Sequence, residues 1–310
     1  MTSTRSLTSI AMSCKYIIYC FYFLSLIKMT LIVNLSTLHS LYPISTSVRA
    51  FAQLCNNYST GCLTCCPSFF QSGTNFAWVM YQYQTQYKTL IEPYKLGKIT
   101  SRQFLINLLT IFDFLDDNFV CSLSDSIKIA DSSYREEANL ALLEHAWNAI
   151  IGLEDDRVAR FATLAERALE EPVYLISNTN ELNVNKIIQL LQSKNPEIRF
   201  NQIDCSVVDD KQPIEIAPNI FLCLSYRYQL FKTDSQNRAA TNSNSTTSLL
   251  RYLVEEQLPA SDRENTHVIS QYPADLEEAI KLGIAPANTH QDSDYFPQPT
   301  VENVEENQLC

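Results

Sequence analysis

Short continuous apolar runs alternate with amphipathic stretches along much of the chain. Runs at 31–34, 173–176, 220–224 and 267–269 each stop at small polar residues, the pattern of buried strands that end at a site. Between them, 154–169 places Val158, Phe161, Leu164, Ala165 and Leu169 on one helical face, and Pro172 ends it. Further helices are expected at 182–191, 249–257 and 274–282, the last stopped by Gly283. Strands and helices alternating in this way predict an α/β fold with a doubly wound parallel sheet.

The stretch 45–151 breaks the alternation. Helical periodicity with aromatic faces recurs at 75–95, 101–117 and 134–151, with Gly97 as punctuation and Thr100-Ser101 as a cap. The expected organisation is a core from 29–44 and 152–285 and a helical cap at 45–151, inserted after the first strand. From 286 to 310 the chain is polar, acidic and aperiodic, which predicts a disordered tail.

Residues 1–28 form a separate apolar extension. The run YIIYCFYFLSLI at 16–27 follows Arg5 and Lys15, like the basic and apolar regions of a signal peptide. It falls short of the roughly 20 apolar residues that span a bilayer. Met29 opens the string MTLIVNLSTL, a natural start for a domain whose first strand leads the chain. Three readings follow: a start codon upstream of the natural one, a membrane anchor, or a cleaved signal.

Composition narrows the function classes. A net charge of −11 speaks against nucleic-acid binding, which needs clustered Lys and Arg. Five glycines, with no GxGxxG or Walker pattern, disfavour a glycine-rich phosphate loop. Four of the ten cysteines, Cys55, Cys62, Cys65 and Cys66, cluster at spacings open to zinc, disulfides or palmitate, although bystander thiols are the simpler reading. The four histidines lack metal or triad spacing.

Ligands of open parallel sheets bind at the carboxyl ends of the strands. That rule selects Asn34 and Ser36, Ser177 with Asn178-Thr179-Asn180, Ser225 and Lys232, then Ser270 and Gln271. The set holds hydrogen-bond donors and one cation but no carboxylate. Ser177 and Asn178 can hold a phosphate or another small anion, and Lys232 can neutralise it. Taken alone, Ser177 could cap the next helix and Lys232 could be a surface lysine.

The segments in order resemble the haloacid dehalogenase (HAD) superfamily. VYLISNTNELN at 173–183 resembles its second motif, where a strand ends in a phosphate-binding Ser or Thr. LSYRYQLFKTD at 224–234 resembles the third, with Lys232 and Asp234 in place and Thr233 where Pro is usual. HVISQYPADLEEAIKLGI at 267–284 resembles the fourth, EPYKLGKITSRQFLINLL at 92–109 resembles a cap segment, and Trp147-Asn148 and the helix before Pro172 match too. The similarity spans about 29–285 and implies a Rossmann-like core with a helical cap.

The departures from that family fall on its carboxylates. Its members attack with an Asp on the first strand. LIVNLSTL at 31–38 has Asn34 at the nucleophile position and Ser36 at the acid/base position. Ser270-Gln271 stands where carboxylates help hold Mg²⁺, a cation that prefers at least one carboxylate. Asp275, in the next helix, is not expected to substitute. IFDFLDD at 111–117 offers Asp113, Asp116 and Asp117, but as Asp-x-x-Asp rather than Asp-x-Asp.

The expected function is a pseudoenzyme: a phosphatase-like protein without metal or catalytic residues that binds a small anionic ligand or a protein. Two alternatives stay open. One is an active phosphatase of rearranged site, with Mg²⁺ as cofactor. The other is an interaction protein attached to a membrane through 16–27. A cytoplasmic location is expected unless that run anchors the chain.

Overall fold

The structure is a computed structural model that describes residues 29–42, 46–47, 49–50, 81–82, 84–111, 132–205, 211–233, 248–258 and 260–296. The extension with its 16–27 run, the cysteine cluster, Asp113, Asp116, Asp117 and Asp234 lie outside the described residues. Among the described residues, no helix is long and apolar enough to cross a membrane.

The strands are β1 (Thr30–Asn34), β2 (Ser40–Leu41), β3 (Ile151–Gly152), β4 (Val173–Ser177), β5 (Ile214–Ala217), β6 (Ile220–Leu224), β7 (Thr266–Ile269) and β8 (Thr289–His290). The helices are α1 (Glu92–Lys95), α2 (Ser101–Ile111), α3 (Ser132–Asn148), α4 (Asp155–Arg167), α5 (Glu181–Lys194), α6 (Ser225–Tyr228), α7 (Leu249–Tyr252), α8 (Pro273–Lys281) and α9 (Asp292–Tyr295). A six-stranded sheet runs β5-β6-β4-β1-β7-β8, parallel except for the β5–β6 pair. The order changes direction at β1, which lies between β4 and β7; this is the switch point where such sheets bind ligands.

Alternation along β1 explains both faces of the sheet. Leu31 and Val33 pack with Phe161 and Leu164 of α4 and Ile187 and Leu191 of α5. Ile32 points the other way, into a cluster with Leu249, Leu253, Val268 and Ala279. Burying both faces is what makes these strands read as continuous apolar runs rather than alternating ones.

β2 pairs antiparallel with β3, Ser40 opposite Gly152 and Leu41 opposite Ile151. The short ribbon sits where the chain leaves the core and returns to it. Between the two strands, α1, α2 and α3 gather a cluster of their own around Tyr94, Phe104, Leu143 and Trp147. Phe104 stacks on Tyr94 and meets Trp147 edge-on. This is the helical cap on an α/β core.

Gly97 lets the cap backbone come close to the core. Its φ is +65°, and a Cβ there would lie 2.0 Å from the Tyr226 carbonyl oxygen. Only glycine satisfies both the left-handed backbone and the contact.

Several expectations need correction. The helix read as 134–151 stops at Asn148, and Ile151 and Gly152 form β3 instead. β5 and β8 follow from no pattern recognised in the sequence. The tail taken as disordered from 286 is ordered to Phe296. Backbone pairing fixes it, with Thr289 and His290 beside Val268 and Ile269 of β7. Asp292 also accepts from Arg160 at 2.9 Å, and Phe296 is buried.

Candidate functional site

The carboxyl ends of β1, β4 and β7 and the turn after α6 surround a cavity of about 410 Å³. Asn34, Ser36, Ser177, Asn178, Thr179, Asn180 and Lys232 line it, so seven of the ten residues selected from the sequence meet at one cavity. Ser270 and Gln271 stand behind its wall and reach it through hydrogen bonds. Lys95, His39, Trp147 and Asp275 also line the cavity, and the strand-end rule selected none of these.

Asn34 is fully engaged. Its Nδ2 donates to Ser270 Oγ and to Asp275 Oδ2, both at 3.1 Å, and its Oδ1 accepts from Ser36 N at 3.1 Å. The last contact caps the helical turn Leu35–Thr37, which turns the chain just after β1. Gln271 Nε2 donates to Ser36 Oγ at 3.0 Å. The positions where the resemblance expects charge are thus joined by neutral hydrogen bonds.

Asp275, which is not expected from the sequence to substitute for the missing carboxylates, lines the cavity. Tyr272 N donates to Ser270 Oγ at 3.1 Å, and Asp275 N to the Tyr272 carbonyl at 3.1 Å, folding α8's first turn back over the strand end. Asp275 Oδ2 then lies 2.6 Å from Lys232 Nζ and 2.5 Å from Ser270 Oγ. Both ion-pair partners are buried, and Lys232 also lies 4.7 Å from the centre of the Tyr272 ring. Burial lowers the Lys232 pKa, and Asp275 opposes that shift.

The loop after β4 is braced from the cap. Asn180 caps α5 by accepting from Asn183 N at 3.0 Å, Trp147 Nε1 donates to Asn180 Oδ1 at 3.4 Å, and Asn183 Nδ2 donates to Asn148 Oδ1 at 3.1 Å. The next loop is tied in as well, because Lys232 N donates to Asn178 Oδ1 at 2.6 Å. Ser177 stands at the β4 terminus with its hydroxyl free of partners among the described residues. It is not the helix cap, since Asn180 fills that place.

Magnesium suits this donor set poorly. Asp275 is the one acidic residue on the cavity wall among the described residues, and its Oδ2 already takes three donors. Asn34 and Gln271 direct amide N–H groups at their neighbours. Among the described residues, no three His, Cys, Asp or Glu side chains gather as a metal site. A hard divalent cation prefers several anionic oxygens, and among the described residues the cavity wall offers the single carboxylate of Asp275.

His39 adds a pH-sensitive element. Burial lowers its pKa from 6.5 to about 4, with a backbone contact to Ser40 acting upward and the Arg157 charge acting downward. The folded protein therefore keeps His39 neutral where the unfolded chain protonates it. Stability from this residue is present above pH 6.5 and is lost as pH falls toward 4. A displacement of this size corresponds to roughly 3 kcal/mol at most. Urea unfolding at pH 7, 5.5 and 4 is expected to show a steeper loss for the wild type than for His39→Gln. Equal slopes would mean that His39 is not held neutral by burial.

No protein-family model matches the sequence, and no curated protein matches it. Solved structures do. The HAD family enzyme BT-2542 from Bacteroides thetaiotaomicron superposes with a TM-score of 0.50 at 14% identity, over 85% of this chain and 93% of that one. The same enzyme in complex with magnesium and inorganic phosphate gives 0.48 at 14% identity, with the same coverage. A protein from Porphyromonas gingivalis described as a "predicted HAD-like family hydrolase" gives 0.43 at 12% identity, over 86% of this chain and 91% of that one. The parallel sheet with its switch point at β1, the cap between β1 and β4, and the superposition at 0.50 make this a chain with the HAD-like fold.

Proposed function

We propose that the protein binds a small phosphate-bearing ligand in the 410 Å³ cavity, without phosphatase turnover, and acts as a binding or regulatory protein. One observation carries this reading: the side chain at the end of β1 is an amide whose donors and acceptor are all committed to neighbours. An amide is a far weaker nucleophile than a carboxylate, and losing the nucleophile of a covalent mechanism typically removes several orders of magnitude in rate. The anion side of the site is kept. Ser177 offers an uncommitted hydroxyl, and the Lys232 ammonium lines the same cavity.

The test pairs activity with binding. Purified protein is expected to show no Mg²⁺-dependent hydrolysis of p-nitrophenyl phosphate above background. Inorganic phosphate is expected to bind by titration calorimetry, about tenfold more weakly to Ser177→Ala, the usual effect of losing a hydrogen bond to a charged group. Robust Mg²⁺-dependent turnover by the wild type overturns the proposal.

Asp275 supports a second reading, an active hydrolase of rearranged site, because it places a carboxylate beside Lys232 in the same cavity. The described thiols do not help it: Cys205 and Cys223 are buried and line no part of this cavity. That reading predicts turnover abolished by Asp275→Asn. The first is favoured because Asp275 Oδ2 is held by three donors in a closed network.

A further inference from the structure

The least explained charge in the cavity belongs to the cap. Lys95, the last residue of α1, lines the wall together with Ser177, Thr179 and Lys232. Among the described residues no carboxylate comes within ion-pair distance of it. Its ammonium has only the Tyr87 ring, 5.6 Å away, and the more distant field of Glu92. Lys232 by contrast is already matched by Asp275 at 2.6 Å. A half-buried ammonium with no carboxylate beside it carries a desolvation cost that an anion would offset, so the site is suited to one.

Lys95 is also held in place. Ser225 Oγ contacts the Lys95 carbonyl at 2.9 Å and the Thr179 carbonyl at 3.1 Å. One buried hydroxyl thus ties the cap residue to the loop that follows Ser177. Gly97, two residues on, lets the cap backbone approach Tyr226 in the same region. The cavity, at about 410 Å³, lies in the range of about 300–1,000 Å³ typical for whole small molecules.

We propose that Lys95 is a specificity-determining residue that pairs with a second anionic group, so that the ligand is a small phosphate ester carrying an additional carboxylate or phosphate. The proposal rests on the anion-binding reading of the cavity. In it, the phosphate sits against Ser177 and Lys232, and the second anion sits under the cap against Lys95. Burial lowers the Lys95 pKa, against the upward pull of Glu92, and a bound anion would reverse that cost.

The test uses the full chain and three probes: inorganic phosphate, glycerol 3-phosphate and 3-phosphoglycerate. The last two differ in that a carboxylate replaces a hydroxymethyl group. The wild type is expected to bind 3-phosphoglycerate at least tenfold more tightly than glycerol 3-phosphate. Lys95→Met is expected to abolish this preference and to change affinity for inorganic phosphate by less than twofold. Lys95→Arg is expected to keep the preference, and circular dichroism melts check that both variants fold. A wild type without the preference, or a preference that survives Lys95→Met, overturns the role of Lys95 while leaving phosphate binding intact. An equal loss of inorganic phosphate in Lys95→Met also overturns it, because Lys95 would then belong to the phosphate site. A wild type that binds none of the three probes overturns the underlying reading, and this proposal with it.

Discussion

Replacing Asp275 with Ala is expected to cost about 3–5 kcal/mol of folding stability, the cost of breaking a buried ion pair on one side. Lys232 would keep its charge in a buried position and lose the carboxylate 2.6 Å away. Asn34 Nδ2 and Ser270 Oγ would lose an acceptor at the same time. Domains are stable by about 5–15 kcal/mol in all, so the loss is a large share of the total. Removing both charges, by Lys232→Met with Asp275→Leu, should be less damaging than Asp275→Ala alone, because no uncompensated ion remains. Urea unfolding measures this as a shift of midpoint at constant slope. A loss below about 1 kcal/mol for Asp275→Ala would place the pair in the range of solvated surface bridges and contradict the closed network described above.

That network shows how far the sequence could be read. Asn34, Ser36, Ser177, Asn178 and Lys232 were selected because each follows an apolar run, and the sheet brings strand ends together by construction. Asp275 reads in the sequence as an ordinary acidic residue in the first turn of a helix. Its role depends on how that turn folds back over Ser270, which no periodicity reports. Lys95 and His39 reach the cavity through cap docking and through the turn after β1, and neither contact is local.

The same division runs through the fold. β1, β4, β6 and β7 are buried on both faces and therefore stand out as apolar runs. β2, β3 and β8 are each two residues long, and β5 is a short edge strand. What defines them is a partner: Ser40 opposite Gly152, Thr289 beside Val268, Glu215 opposite Phe221. Helix ends follow the same rule, since α3 stops at Asn148 where Asn148 turns to bond Asn183. Short elements set by tertiary pairing leave little trace in composition.

Asn34→Asp is expected to lose about 2–4 kcal/mol in EDTA and to recover much of it in Mg²⁺. The present amide donates to Asp275 Oδ2 and to Ser270 Oγ at 3.1 Å. A carboxylate in its place has no proton to give, so an attractive contact becomes an apposition of two anions, and two buried partners lose a donor. Lys232 alone cannot neutralise both. A divalent cation can, and the variant would offer what the wild-type wall lacks, a second anionic oxygen beside Asp275. Cation binding to the folded state stabilises by RT ln(1 + [L]/Kd), about 2.7 kcal/mol at a hundredfold excess over Kd. The wild type, with its amide, should show the same unfolding midpoint in EDTA and in millimolar Mg²⁺. Thermal or urea unfolding of both proteins in both buffers separates the outcomes. A variant as stable as the wild type in EDTA would mean that the Asn34 contacts carry little weight. Stabilisation of the wild type by Mg²⁺ would show that Asn34, Asp275 and their neighbours do form a metal site. The charge argument for binding without turnover would then fall.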